Sequence, residues 1–191
     1  MLRTVINEEH LFIYIHPPKT GGTSLEKLFI DDADKTDVPE KHKYNKCYNI
    51  PEYDNYYRFG TVRNPWDRMV SYYHWRLKKG LPMFGVNSFE EWVEFCCNPA
   101  AHKEFYETLY HFATAIDQQA NMLEGVNNII KMENFQEDFD RVCDDIGMPR
   151  KKLPHVNTSA RDSYQTYYTP YTRGLIAKHY EKDVKRYGYK F

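Results

Sequence analysis

Cysteine is scarce in this chain, with four residues among 191, and two of them, Cys96 and Cys97, are adjacent. No C-x-x-C pair occurs, so neither a disulfide scaffold nor a structural zinc site fits the spacing. No run approaches the roughly 18 apolar residues of a membrane helix. The start of the chain carries Glu8 and Glu9 where a signal peptide needs an apolar stretch, so a reduced, cytoplasmic protein is the expectation. An excess of either charge is also missing: 26 Lys and Arg against 27 Asp and Glu leave a net charge of −1. That excludes a global basic field for gripping nucleic acid. Repeats, low-complexity tracts and Gly/Ser linkers are absent, and the length suits one domain, taken as residues 1–191. What the chain does have in quantity is tyrosine, 17 residues, which couples apolar area to a polar tip.

The order of elements is legible from pattern. Leu11 to Ile15 is a short apolar run that reads as a buried strand. His16-Pro17-Pro18-Lys19-Thr20-Gly21-Gly22-Thr23 breaks it, and from Ser24 the spacing of Leu25, Leu28 and Phe29 is helical. An acidic loop follows, then a strand over Tyr57 to Val62. Asn64 is a good N-cap with Pro65 at the first helical position, and that helix should stop at Gly80. Further helices are expected at Ser88–Cys97, Lys103–Ala113, Asn134–Ile146 and Pro170–Tyr187, with a strand at Asn128–Met132. Strands alternating with helices argue for an α/β fold, a small, mainly parallel sheet flanked by helices.

The strongest chemical signal is the segment Lys19-Thr20-Gly21-Gly22-Thr23-Ser24 between a strand and a helix. Glycines allow backbone N–H groups to converge on an anion, and the helix N-terminus adds partial positive charge. Lys19 supplies a full charge, and the hydroxyls of Thr20, Thr23 and Ser24 are donors. The order differs from Walker A, in which the lysine follows the last glycine. An acid to hold Mg²⁺ at the end of the second strand, as a P-loop kinase requires, is also missing. A plain glycine turn with a surface lysine is the alternative.

A second signal is Thr61-Val62-Arg63-Asn64-Pro65-Trp66-Asp67-Arg68-Met69-Val70-Ser71. Arg63 sits at a strand end, where its fork of donors can meet an anion bidentately. Ser71 follows a little over two helical turns later, able to face the same side. Two separate anion sites imply a ligand with phosphates at both ends.

These segments resemble the sulfotransferase family. His16 to Ser24 is similar to its 5′-phosphosulfate loop, and Val62 to Ser71 is similar to its 3′-phosphate motif. The likeness is strongest to the carbohydrate-sulfotransferase-like branch, with the heparan 2-O and chondroitin 4-O enzymes and small bacterial relatives. Lys131-Met132-Glu133-Asn134-Phe135, the Leu153–Ser159 segment and the ending Tyr187–Phe191 resemble later family segments, so the likeness runs from about Leu11 to Phe191.

The resemblance implies a P-loop-like sulfotransferase fold and transfer of a sulfuryl group from 3′-phosphoadenosine-5′-phosphosulfate to an acceptor hydroxyl. The bisphosphate 3′-phosphoadenosine-5′-phosphate is the product, and this chemistry needs no metal. On that reading Lys19 meets the bridging oxygen, Thr20, Gly21, Gly22, Thr23 and Ser24 hold the 5′-phosphate, and Arg63 and Ser71 hold the 3′-phosphate. Arg161 is a further candidate there. Of eight histidines, His42 resembles the family's catalytic base, with Glu40 as the fallback and a solvated loop histidine as the plain alternative. The implied acceptor is a saccharide or glycolipid hydroxyl, with specificity expected in loops at Leu81–Val86 and Asn98–Glu107. A nucleotide or small-molecule kinase and a non-catalytic nucleotide-binding module remain the other readings of the residues.

Overall fold

The computed structural model describes residues 5–31, 36–37, 45–106, 110–153 and 161–191. In chain order the first elements are β1 (Val5–Asn7), β2 (Phe12–Ile15), α1 (Gly22–Asp31), β3 (Thr36–Asp37), β4 (Tyr57–Val62) and α2 (Pro65–Lys78). Then come α3 (Phe89–Cys97), α4 (Pro99–Tyr106), α5 (Tyr110–Ile116), α6 (Gln119–Met122), β5 (Asn128–Lys131), α7 (Phe135–Ile146), α8 (Pro170–His179) and α9 (Glu181–Tyr187). Two compact units divide the chain: residues 1–63 with 121–159, and residues 64–120 with 160–191.

The first unit is α/β. Its sheet has the order β3-β1-β2-β4-β5. β2, β4 and β5 are mutually parallel, β1 runs against β2, and β3 runs against β1, so among the described strands only β1 is reversed. The expected mainly parallel sheet is therefore present. β2 is apolar at every position and wholly buried, as a strand covered on both faces must be. One face packs Phe12, Tyr14, Phe59 and Ile130 against Leu25 and Phe29 of α1 and Phe139 and Val142 of α7. Ring centroids of 4.9 Å for Phe12–Phe29 and 5.5 Å for Phe12–Phe59 make this a close aromatic core. Each such side chain contributes roughly 1.5–3 kcal/mol through burial alone. At the other face Gly60 is obligatory, because a β-carbon there would lie 2.8 Å from the Ile15 carbonyl and press on Leu123.

The second unit is helical and holds two buried cations and a buried carboxylate. Arg68 donates to the carbonyls of Asp117, Ala115 and Thr114, capping the C-terminal turn of α5. Arg76 lies among the rings of Tyr72, Phe84, Trp92 and Phe112 and donates to the Tyr72 hydroxyl and the Pro82 carbonyl. Asp183 accepts from the backbone N–H of Gln119 and Ala120 and from the Gln119 amide.

Two expected helices differ in the structure. In place of one helix over 103–113, α4 begins at Pro99, with the Asn98 side chain accepting from the Ala100 N–H, and α5 runs from Tyr110, with 107–109 outside the described residues. In place of one over 170–187, the helix breaks at Tyr180, whose buried hydroxyl donates to the Ile116 carbonyl. At Tyr180 a tertiary hydrogen bond accompanies the departure from the local pattern. The 98–107 stretch expected as a loop is thus largely helical. β1 and β3 carry no sequence signal because they are too short to show a period.

His74, His102 and His179 in this unit all have imidazole pKa values pushed down, chiefly by burial. Unfolding therefore takes up protons as pH falls through the ordinary histidine range near ~6.5. Their contribution is present above that range and lost below it. Thermal melts should show stability dropping between pH 7.5 and 5.5, and His179→Asn should flatten that slope.

Candidate active site

Three turns stand side by side at the carboxyl ends of the parallel strands, the usual place for ligands in such sheets. The one after β2 is the segment His16–Gly21, the one after β4 is Arg63, and the one after β5 is Met132–Asn134. Register dictates this: Ile15 pairs with Gly60 across β2 and β4, and Val62 pairs with Lys131 across β4 and β5.

The first turn leads straight into α1, which starts at Gly22, two residues earlier than its apolar spacing indicates. Lys19 has φ 71° and Gly21 φ 80°, so left-handed backbone lies on both sides of Thr20. For lysine that conformation costs roughly 1–2 kcal/mol, and such outliers cluster where a ligand is held. Gly21 is closed over by the third turn, since a β-carbon would stand 3.2 Å from Phe135 and 3.5 Å from the Met132 sulfur. Gly22 is needed because a β-carbon would overlap the His16 imidazole. The His16 ring in turn stacks on Tyr14 at 5.2 Å.

Side chains of this turn divide into inward and outward sets. Thr20 is fully buried and its hydroxyl donates to the Pro17 carbonyl at 2.8 Å, so what it offers an anion is its backbone N–H. Ser24 is 5% exposed, and its N–H closes the first turn of α1 on the Gly21 carbonyl. Lys19 and Thr23 are half-buried at the surface of the turn. Arg63 donates through Nη1 to the Lys19 carbonyl at 3.3 Å, which brings together the two segments singled out in the sequence.

In the second unit, Asn64 caps α2, its Oδ1 accepting from the Trp66 N–H, while its amide donates to the Lys190 carbonyl at 2.9 Å. The chain ending is thereby tied to the start of α2, and Phe191 packs against Trp66, Tyr164 and Tyr168. Arg161 forms an ion pair with Asp67 in the first turn of α2. Ser71 lies half-buried one turn beyond Asp67, and His74 follows with its ring edge-on to Tyr167. Burial, and after it the Arg161 charge, lowers the His74 pKa, keeping the ring neutral at pH 7.

His42, Glu40, His155 and Asn157 lie outside the described residues. Tyr14, Thr61 and Phe135 support the turn without being singled out from the sequence as site residues: Tyr14 is marked by the apolar run of its strand, Thr61 by opening the second motif and Phe135 by closing the 131–135 segment. Among the described residues no group of three or more His, Cys, Asp or Glu is placed to hold a metal ion.

The chain matches the family model described as "Sulfotransferase family" over residues 2–190. A protein of Archaeoglobus fulgidus described as uncharacterized is 31% identical over 115 residues, covering 59% of this chain and 86% of that protein. Among solved structures, a sulfotransferase from Alicyclobacillus acidocaldarius aligns with TM-score 0.48 and 17% identity over 91% of this chain and 75% of that one.

The strain at Lys19 and the contact at Gly22 give opposite expectations. Lys19→Gly removes the left-handed penalty and should leave the melting temperature unchanged or raised. Gly22→Ala forces the His16 ring aside and should destabilise by about 1–3 kcal/mol in denaturant unfolding.

Proposed function

The chain belongs to the sulfotransferase family, and from that we propose that residues 1–191 act as one domain moving a sulfuryl group from 3′-phosphoadenosine-5′-phosphosulfate to an acceptor hydroxyl on a saccharide or glycolipid. The single observation that carries this reading is the junction of Lys19 and Arg63: a strained, cation-bearing turn at a helix N-terminus, held through its carbonyl by a second cation. Backbone N–H groups from Thr20 to Thr23, with the Ser24 hydroxyl, suit the 5′-phosphate, and Arg63, with Ser71 and Arg161, is assigned the 3′-phosphate.

The transfer is an in-line displacement. The bond from sulfur to the bridging oxygen breaks as the bond from sulfur to the acceptor oxygen forms. The acceptor proton passes to His42, with Glu40 as the substitute base, an assignment that rests on family resemblance. The bridging oxygen stays on the 5′-phosphate with a growing negative charge, and Lys19 compensates it. Stabilisation aimed at charge that develops only in the transition state is worth the most to catalysis.

The test is calorimetric titration of the full chain with 3′-phosphoadenosine-5′-phosphate and with ATP, with and without Mg²⁺. Binding of the bisphosphate without Mg²⁺, weakened about tenfold or more by Arg63→Ala, supports the reading. A Mg²⁺-dependent preference for ATP overturns it in favour of a kinase. In turnover assays Lys19→Met should lower kcat by about 10²–10³ with a smaller change in bisphosphate affinity. His42→Ala should keep that affinity and lose turnover; indifference to it would remove His42 as the base.

A further inference from the structure

Thr20, Thr61 and Tyr14 form a buried line of hydroxyls. Tyr14 Oη lies 3.0 Å from Thr61 Oγ1, Thr61 Oγ1 lies 2.8 Å from Thr20 Oγ1, and Thr20 Oγ1 lies 2.8 Å from the Pro17 carbonyl. All three side chains are fully buried. A carbonyl only accepts, so the direction of the line is determined from that end. Thr20 gives its proton to Pro17 and must accept from Thr61, and Thr61 must then accept from Tyr14. Burial pushes the Tyr14 phenol well above its ordinary pKa, which suits its place as the first donor. Such chains polarise one another in a dry interior.

The line crosses from the sheet to the anion turn. Thr61 sits on β4 two residues before Arg63, and Tyr14 on β2 two residues before His16. The Tyr14 ring is itself stacked with Phe59, at 5.0 Å, and with His16, at 5.2 Å, and His16 seats Gly22. Tyr14 thus steadies the turn by two routes, through the hydroxyls to Thr20 and through the stacked rings to Gly22.

We propose that Thr61, backed by Tyr14, is a positioning residue for sulfuryl transfer: by orienting Thr20 inward it holds the N–H groups of residues 20–23 and the Lys19 side chain toward the donor. The proposal rests on the donor reading above for its functional half, and on the hydroxyl line alone for its structural half.

The experiment compares Thr61→Val, Thr61→Ser, Tyr14→Phe and the Tyr14→Phe/Thr61→Val double variant in the full chain. Two readouts are taken: hydrogen exchange over residues 16–24, and affinity for 3′-phosphoadenosine-5′-phosphate. Thr61→Val should speed exchange in that segment about tenfold and weaken the bisphosphate about tenfold, with exchange in β5 and α7 unchanged. Thr61→Ser, which keeps the hydroxyl, should match the wild type in both. Tyr14→Phe should move both readouts the same way but less. The double variant should be no worse than Thr61→Val, because both substitutions cut one line.

Wild-type exchange in Thr61→Val would overturn the proposal. So would equal damage from Thr61→Ser, which would assign the effect to the methyl group and its packing. Faster exchange without loss of affinity would leave the line as a purely structural tether and also sink the positioning role. If the wild type ignores the bisphosphate, the donor reading fails and the positioning role falls with it, while the exchange result still decides the hydroxyl line.

Discussion

Parallel pairing of β2 with β4, with Ile15 beside Gly60, is the constraint on which the rest of the first unit depends. It forces the turns that leave the two strands to emerge side by side. Arg63 can reach the Lys19 carbonyl, and Thr61 the Thr20 hydroxyl, only because of that register. A slip of one residue would turn Thr61 and Phe59 to the opposite face and separate both contacts. Gly60 protects the register, since any side chain there would meet the Ile15 carbonyl and Leu123. The aromatic core beneath, with Tyr14 on Phe59 and Phe12 on Phe29, makes the same pairing energetically dominant.

Cations in this chain have two occupations that composition cannot separate. Arg63 and Arg68 lie five residues apart in the same motif, yet Arg68 is 2% exposed and engaged by three carbonyls at the end of α5. Arg76 is similarly enclosed by aromatic rings and the Pro82 carbonyl. Both hold the helical unit together, and neither has a donor fork turned to solvent. Arg63 is half-buried beside a strained turn. Arg161 is intermediate: its carboxylate partner, Asp67, would compete with any phosphate for the same guanidinium.

Legibility followed the range of the forces involved. β4 falls on the expected residues 57–62, and α2 has its expected Asn64 cap and Pro65 start, because strand composition and capping are local chemistry. The glycines at 21 and 22 were readable as a turn, but their partners, Phe135 and His16, come from folding. Tertiary contacts also decided what was misread. At the break at Tyr180 the hydroxyl meets the carbonyl of Ile116, a residue 64 positions away. Thr20 looked like a ligand hydroxyl in the sequence and proves to face inward, since nothing local announces Thr61 as its neighbour.

Lys19 shows how that framework and the chemistry meet. Glycine would adopt φ 71° without cost, and glycines occupy the next two positions but one. Lysine stands there against its backbone preference by roughly 1–2 kcal/mol, the kind of outlier that clusters where a ligand is held. The surroundings hold the strained form from both ends: Arg63 grips the carbonyl of Lys19, and the hydroxyl line grips Thr20 immediately after it. On the proposed donor reading, a backbone fixed in advance leaves less ordering to be supplied when Lys19 meets the leaving oxygen. On that reading the fold orders the Lys19 backbone beforehand, so this part of the ordering does not recur in the transition state, where compensation of a developing charge is most effective.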